Sequence, residues 1–246
     1  MKAFFKHLSL QFKMDIRERG TLITYYLVPL VFYFVMGAVF SSIDPLAKKT
    51  LAATMVIFSV TMGAVIGMPA PIVKMRESGV LRAYRICGIP GWAAPFIQSV
   101  SAFLHLMVVS IIILVTAPLF FGASYPQSFS AYFISLFILL FASIALGLFI
   151  GVIAKSQSIA IMFSQALFLP TIMFSGIMFP ASLLPEPLKA LGRILPATYI
   201  MQSFSGFAFW LPTDINALLS LFIAAGIGVV ITSLTIIKFR TLGKSS

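Results

Sequence analysis

Long apolar runs separated by short polar and charged segments dominate this chain. A helix crosses about 30 Å of hydrocarbon with about 20 apolar residues, at roughly 1.5 Å per residue. Six runs meet that length: Leu22 to Phe40, Leu51 to Ile72, Pro95 to Phe121, Tyr132 to Ile153, Ile159 to Phe179, and Leu218 to Ile237. The fourth and fifth are joined only by Ala154 to Ser158, which predicts an antiparallel hairpin. The third is long enough to tilt or to extend past the bilayer. The pattern predicts an all-α membrane protein with a single membrane domain over residues 1–246.

The fifth run does not end simply. From Leu167 to Met201 the chain reaches Ser175-Gly176, then meets Pro180, Pro185 and Pro187 before a short mixed stretch and Pro196. Irregular backbone near membrane depth is tolerated only where protein or a water-filled cavity lines it. The break therefore predicts an outer re-entrant region over 180–217 beside a route through the membrane. The run from Met201 to Trp210 extends that region or partly enters the membrane, and Asp214 lies near the start of the sixth span.

Composition agrees with these spans. Hydrophobic residues make up 60% of the chain and charged ones 9%, against about 25% charged in soluble domains. The net charge of +11 could suggest nucleic acid, but the charges cluster between spans, so no nucleic-acid partner is expected. Basic clusters in that arrangement set orientation and touch anionic lipid. Lys2, Lys6, Lys13, Arg17, Arg19, Lys74, Arg76, Arg82, Arg85, Lys155, Lys238, Arg240 and Lys244 fall on one side; Lys48, Lys49, Lys189 and Arg193 fall on the other. The positive-inside rule then puts both termini in the cytoplasm and the broken segment outside. The first span reads as retained, not as a cleaved signal.

Residues 1–20 predict a helix lying on the inner membrane face. Phe4, Phe5, Leu8, Phe12 and Ile16 fall on one stripe, and Lys2, Lys6, Lys13 and Arg17 on another. That pattern suits an apolar face in the headgroup boundary with cations toward anionic lipid. The loop over 73–94 contains KMRESGVLRAYRICGIPGW. It predicts a short helix from Ser78 to Ile86, capped by Ser78 and ended by Gly88 and Pro90. Its mixed apolar and charged surface suits docking of another protein; a solvated basic loop is the plainer alternative. Gly63 with Gly67 and Gly147 with Gly151 form two GxxxG pairs, which suit close helix packing within one chain or dimerisation.

Chemistry is sparse. The chain has one cysteine, Cys87, so no internal disulfide or cysteine metal cluster is expected. No HExxH, GxSxG or intramembrane carboxylate pair occurs. Leu242-Gly243-Lys244-Ser245 resembles the end of a phosphate loop, but the required earlier glycine is Lys238. His105 is the one span residue with a candidate proton role, and interhelical hydrogen bonding is its ordinary use. No catalytic, cofactor or metal site is expected on this chain, and any energy for transport comes from elsewhere.

Together these features resemble the type-2 ABC transporter permeases, membrane subunits of bacterial ABC exporters that share a fold with the G-subfamily exporters. The resemblance spans essentially the whole chain. It rests on the basic N-terminal helix, the six spans, the loop RESGVLRAYRICGIP, and above all FSGIMFPASLLPEPLKALGRILPATYI. It implies that the first cytoplasmic loop carries a coupling helix for a separate P-loop ATPase, with Arg76, Glu77, Ser78, Gly79 and Arg82 as coupling residues. It also implies two permease chains, like or related, with ATP and Mg held by the ATPase chains. Met173, Phe174, Ser175, Gly176, Phe179 and Pro180 would form the substrate path and outer gate. Location in the bacterial inner membrane follows from the same resemblance. The substrate expected is a drug, antimicrobial peptide or lipid-like compound, or a lipid-linked polysaccharide. The competing readings are a secondary transporter or channel that needs no ATPase, and a membrane enzyme or assembly factor.

Overall fold

The computed structural model describes residues 2–43, 45–178 and 184–244. Its elements are α1 (Lys2–Arg17), α2 (Arg19–Ser42), α3 (Lys48–Glu77), α4 (Val80–Ile86), α5 (Ala93–Phe121), α6 (Phe129–Ile153), α7 (Gln157–Phe174), α8 (Glu186–Gly192), α9 (Pro196–Ser203) and α10 (Ala217–Lys244). Among the described residues, α2, α3, α5, α6, α7 and α10 are long and apolar enough to cross a membrane. These match the six apolar runs of the sequence. The fifth is shorter than its hydropathy suggests. Its helix ends at Phe174 because Gly176 takes a left-handed backbone (φ +80°), which closes a helix at no Cβ cost.

The second span is the core of the molecule. Its most apolar window is 83% buried, against 22% for α2, 28% for α7 and 17% for α10. Nearly every side chain from Leu51 to Val65 is enclosed, so this helix is apolar all round because protein surrounds it. The outer three spans keep broad apolar faces free for lipid or another chain. Both GxxxG pairs serve packing within the chain. Gly147 of α6 sits against the backbone of Ala64, and Gly151 against Ile72. Gly63 and Gly67 of α3 accommodate Leu106 and the ring of Tyr25.

Proline shapes two of these spans. Pro29 has no N–H for the carbonyl four residues back, and its ring crowds that position. The chain widens there into a π-helical turn at Ile23–Leu27. Pro69 sits just beyond a second π-helical stretch, Met62–Gly67, in the same way. The two widened turns pack on each other. Helix starts are capped locally. The Ser128 hydroxyl accepts from the Ala131 amide, Ser156 from Ile159, and the Asn216 amide oxygen from Leu218 and Leu219.

At the far face, α8 lies against the end of α7, where Gly192 meets the backbone of Phe174. Helix α9 continues through a π-helical turn, Phe204–Ala208, and packs on α6, α10 and α3. Phe204 is fully buried against the Tyr132 ring, 5.0 Å away, and the Ser203 and Ser135 hydroxyls are 2.9 Å apart. The stretch from Pro196 to Phe209 is thus part of the packed bundle.

Candidate functional site

The opposite face gathers α1, the loop around α4, the link between α6 and α7, and the end of α10, whose Phe239 borders Gly91. Here the second span ends differently from the sequence expectation. The Ser78 amide still bonds the Lys74 carbonyl at 2.9 Å, so Ser78 closes α3 and does not cap the next helix. Gly79 then turns in the left-handed region (φ +72°), and α4 begins at Val80. Arg82 lies on α4. Gly88 (φ +73°) ends that helix, as its position in the sequence suggests.

The residues before this turn bind the spans to each other. The Arg76 guanidinium donates to the Val152 carbonyl at 2.9 Å and also to the Ala154 carbonyl. Those carbonyls belong to the end of α6, where helix geometry leaves them without partners and the dipole favours a cation. Glu77 accepts from the Gln157 amide at 3.1 Å, which ties the end of span two to the start of span five. Lys74 and Glu18 form an exposed ion pair at 3.5 Å. Spans two, four and five thus meet at one elbow, held by two residues of the RES sequence.

Helix α1 joins the same junction. Phe5 and Ile16 are exposed, and Lys6 and Lys13 point outward. Phe4 leans toward Phe96, with ring centroids 6.1 Å apart, Leu8 is half-buried, and Phe12 stacks flat on His105 at 4.1 Å. A third stripe, which the sequence pattern did not reveal, faces inward: His7, Gln11 and Asp15. The Tyr84 hydroxyl lies 2.6 Å from His7 Nε2, tying α1 to α4. Burial pushes the Tyr84 phenol above its ordinary value, which keeps that hydroxyl protonated and able to donate. Asp15 is 3% exposed; its carboxylate accepts from Gln11 at 2.9 Å and from the Ser101 hydroxyl at 2.6 Å. The signal was legible in principle, because residues four apart share a helix face. The stronger aromatic and lysine stripes hid it. A surface cleft of about 400 Å³ opens between α1 and the elbow, lined by Gln11, Asp15, Glu18, Lys74, Gln98 and Gln157 among others.

At the far face, the proposed path residues divide. Met173 is 42% exposed and Phe174 half-buried. Ser175 is buried, with its hydroxyl 3.1 Å from that of Thr198, which donates to the Gly192 carbonyl at 2.5 Å. Gly176 lies beside Met201. Phe179 and Pro180 lie outside the described residues. Arg76 and Glu77, expected to couple, and Met173 to Gly176, expected to line the path, therefore lie near opposite ends of α7.

A family profile describing the ABC-2 type transporters matches residues 4–209. This chain belongs to that family. The match runs from α1 past the turn that follows α9 and includes both ends of α7. No curated protein matches the chain. Membership makes this ABC-2 chain a multi-pass membrane transport component of an ABC transporter, and it implies an ATPase partner. Among the described residues, no cluster of His, Cys, Asp or Glu has the arrangement of a metal site.

Proposed function

We propose that this ABC-2 chain is the permease of an ATP-driven exporter, working as two permease chains with two P-loop ATPase chains that hold ATP and Mg. The observation that carries this reading is the elbow: Arg76 and Glu77 connect the turn before α4 to the ends of spans four and five. A push on α4 by an ATPase would reach α7 through that connection. Arg76 and Glu77 act there from within the permease, while Ser78, Gly79 and Arg82 form the segment nearest the partner. A second permease chain, identical or related, would cover the exposed face of α7, and the substrate would pass between the two α7 helices.

The positive-inside distribution supports cytoplasmic termini in a bacterial inner membrane, with α8 and α9 forming an outer re-entrant element. The exposed apolar face of α1 suits an interfacial position, with Lys6 and Lys13 toward anionic headgroups. The α7 helix carries no charged residue, which favours a hydrophobic or amphipathic substrate: a drug, an antimicrobial peptide or a lipid-like compound.

Two expected results test this reading. Glu77→Ala in the complex should lower both substrate-stimulated ATP hydrolysis and export by roughly tenfold, because the tie to Gln157 is worth about one hydrogen bond to a charged group. Unchanged hydrolysis and unchanged export would remove Glu77 from coupling. Met173→Ala and Phe174→Ala should shift relative export rates among hydrophobic substrates by several-fold at unchanged assembly. Equal effects on every substrate would place the route elsewhere. A purified chain that moves substrate down its gradient without any ATPase would favour a channel.

A further inference from the structure

His105 lies in the middle of α5 with no exposed surface, and its two ring nitrogens meet different environments. Nδ1 is 2.7 Å from the Tyr26 hydroxyl. Nε2 has no hydrogen-bond partner, yet it faces Asp15 Oδ2 at 3.8 Å. Phe12 covers the ring, parallel to it within 1°. A lone pair at Nε2 aimed at a carboxylate would be repelled, so Nε2 carries the hydrogen and Nδ1 accepts from Tyr26. That leaves Nδ1 as the one place for a further proton.

Asp15 completes the arrangement. Its carboxylate is buried and holds two neutral donors, Gln11 and Ser101. An ionised group in that setting is costly without a countercharge. The His105 imidazole is the one basic group within 4 Å of it among the described residues, and it supplies a countercharge only when protonated. The other ionisable neighbours do not supply a cation. From the first span come the phenols of Tyr25 and Tyr26, with Glu18 at its start. The part of α3 packed on α5 contributes none between Leu51 and Gly67, and α6 contributes only Tyr132 toward its far end. Lys74 is engaged with Glu18 at the mouth of the cleft. That cleft is lined by Asp15 and Gln98, so the buried carboxylate borders a space that opens on that face.

We propose that His105 and Asp15 form a proton-binding site that fastens α1 to span three. One proton enters from the cleft and converts the imidazole to imidazolium. The Nε2–H then bonds a carboxylate in place of facing it across 3.8 Å, and Nδ1–H donates to the Tyr26 oxygen. Loss of that proton leaves α1 held to span three by the Ser101 hydroxyl on Asp15, the Gln11–Gln98 bond and the Phe12 stack. The site acts without regard to substrate or to the direction of transport.

The test uses the complete transporter in lipid nanodiscs. The chain has two histidines, so His7→Asn leaves His105 as its sole imidazole. In a complex with only this chain ¹⁵N-histidine labelled, the His105 nitrogen signals should pass from the neutral Nε2–H form to the imidazolium as the pH is lowered through the range from about 8 to about 4. Amide protection of residues 2–17, corrected for the intrinsic pH dependence of exchange, should rise about tenfold over the same interval, as expected for gaining one charge-assisted hydrogen bond. Asp15→Asn should abolish that rise. A ring that stays neutral throughout this range would overturn the proposal, as would protection that does not follow the histidine signal. Protection that still follows it in Asp15→Asn would overturn the Asp15 partnership and assign the fastening to another group.

Discussion

Gly147→Val should destabilise the chain strongly. A side chain at this position runs into the Ala64 carbonyl and the Met68 side chain of the central span. The obstacle is backbone in a helix enclosed on all sides, so it cannot move aside as a flexible side chain would. Overpacking of this kind costs about 1–3 kcal/mol, and pushing α6 away from α3 also loosens the packing along their shared seam. Thermal unfolding in detergent should show a midpoint lower by roughly 5–10 °C, scaled from a loss near the top of that range. Gly226→Val gives the internal comparison, because nothing lies within 4 Å of a side chain built there. It should unfold close to wild type, apart from the small cost of a β-branched residue in a helix. Equal losses for the two variants would mean that the α3–α6 approach does not limit stability.

Arg76→Ala should produce the second large effect, and it should be local. The substitution leaves the Val152 and Ala154 carbonyls without their cationic donor. A hydrogen bond to a charged group contributes about 1.5–3 kcal/mol, and the end of α6 has no other described side-chain donor at these carbonyls. Hydrogen exchange should therefore quicken by roughly tenfold or more in the peptides spanning residues 150–160. Exchange at the far end of α6, near Ser128, should change little. Arg76→Lys should restore only part of the protection. An ammonium is a compact point donor, whereas the planar guanidinium reaches two carbonyls from two nitrogens. Full protection with lysine would show that charge alone holds the elbow.

The elbow and the buried stripe of α1 show where sequence reading reaches its limit. The six spans were legible because each depends on the apolar content of one continuous segment. Proline and glycine were legible as interruptions for a similar reason, since their backbone restrictions are intrinsic. The shortening of the fifth span came from the same Ser175-Gly176 pair that marked the break. Ser78 was misread as a helix start because a serine can flank either end of a helix, and Gly79 decides between them only when its backbone conformation is known.

Arg76 and Asp15 needed more. Arg76 meets carbonyls that lie 76 and 78 residues away, and Asp15 meets a hydroxyl 86 residues away. In sequence, both belong to short charged clusters next to membrane spans, where solvated charge is the usual outcome. The sequence determined the number of spans, the basic clusters between them and the glycine and proline positions that interrupt them. Tertiary structure decided which charges leave water, because that depends on partners brought together only when distant spans pack.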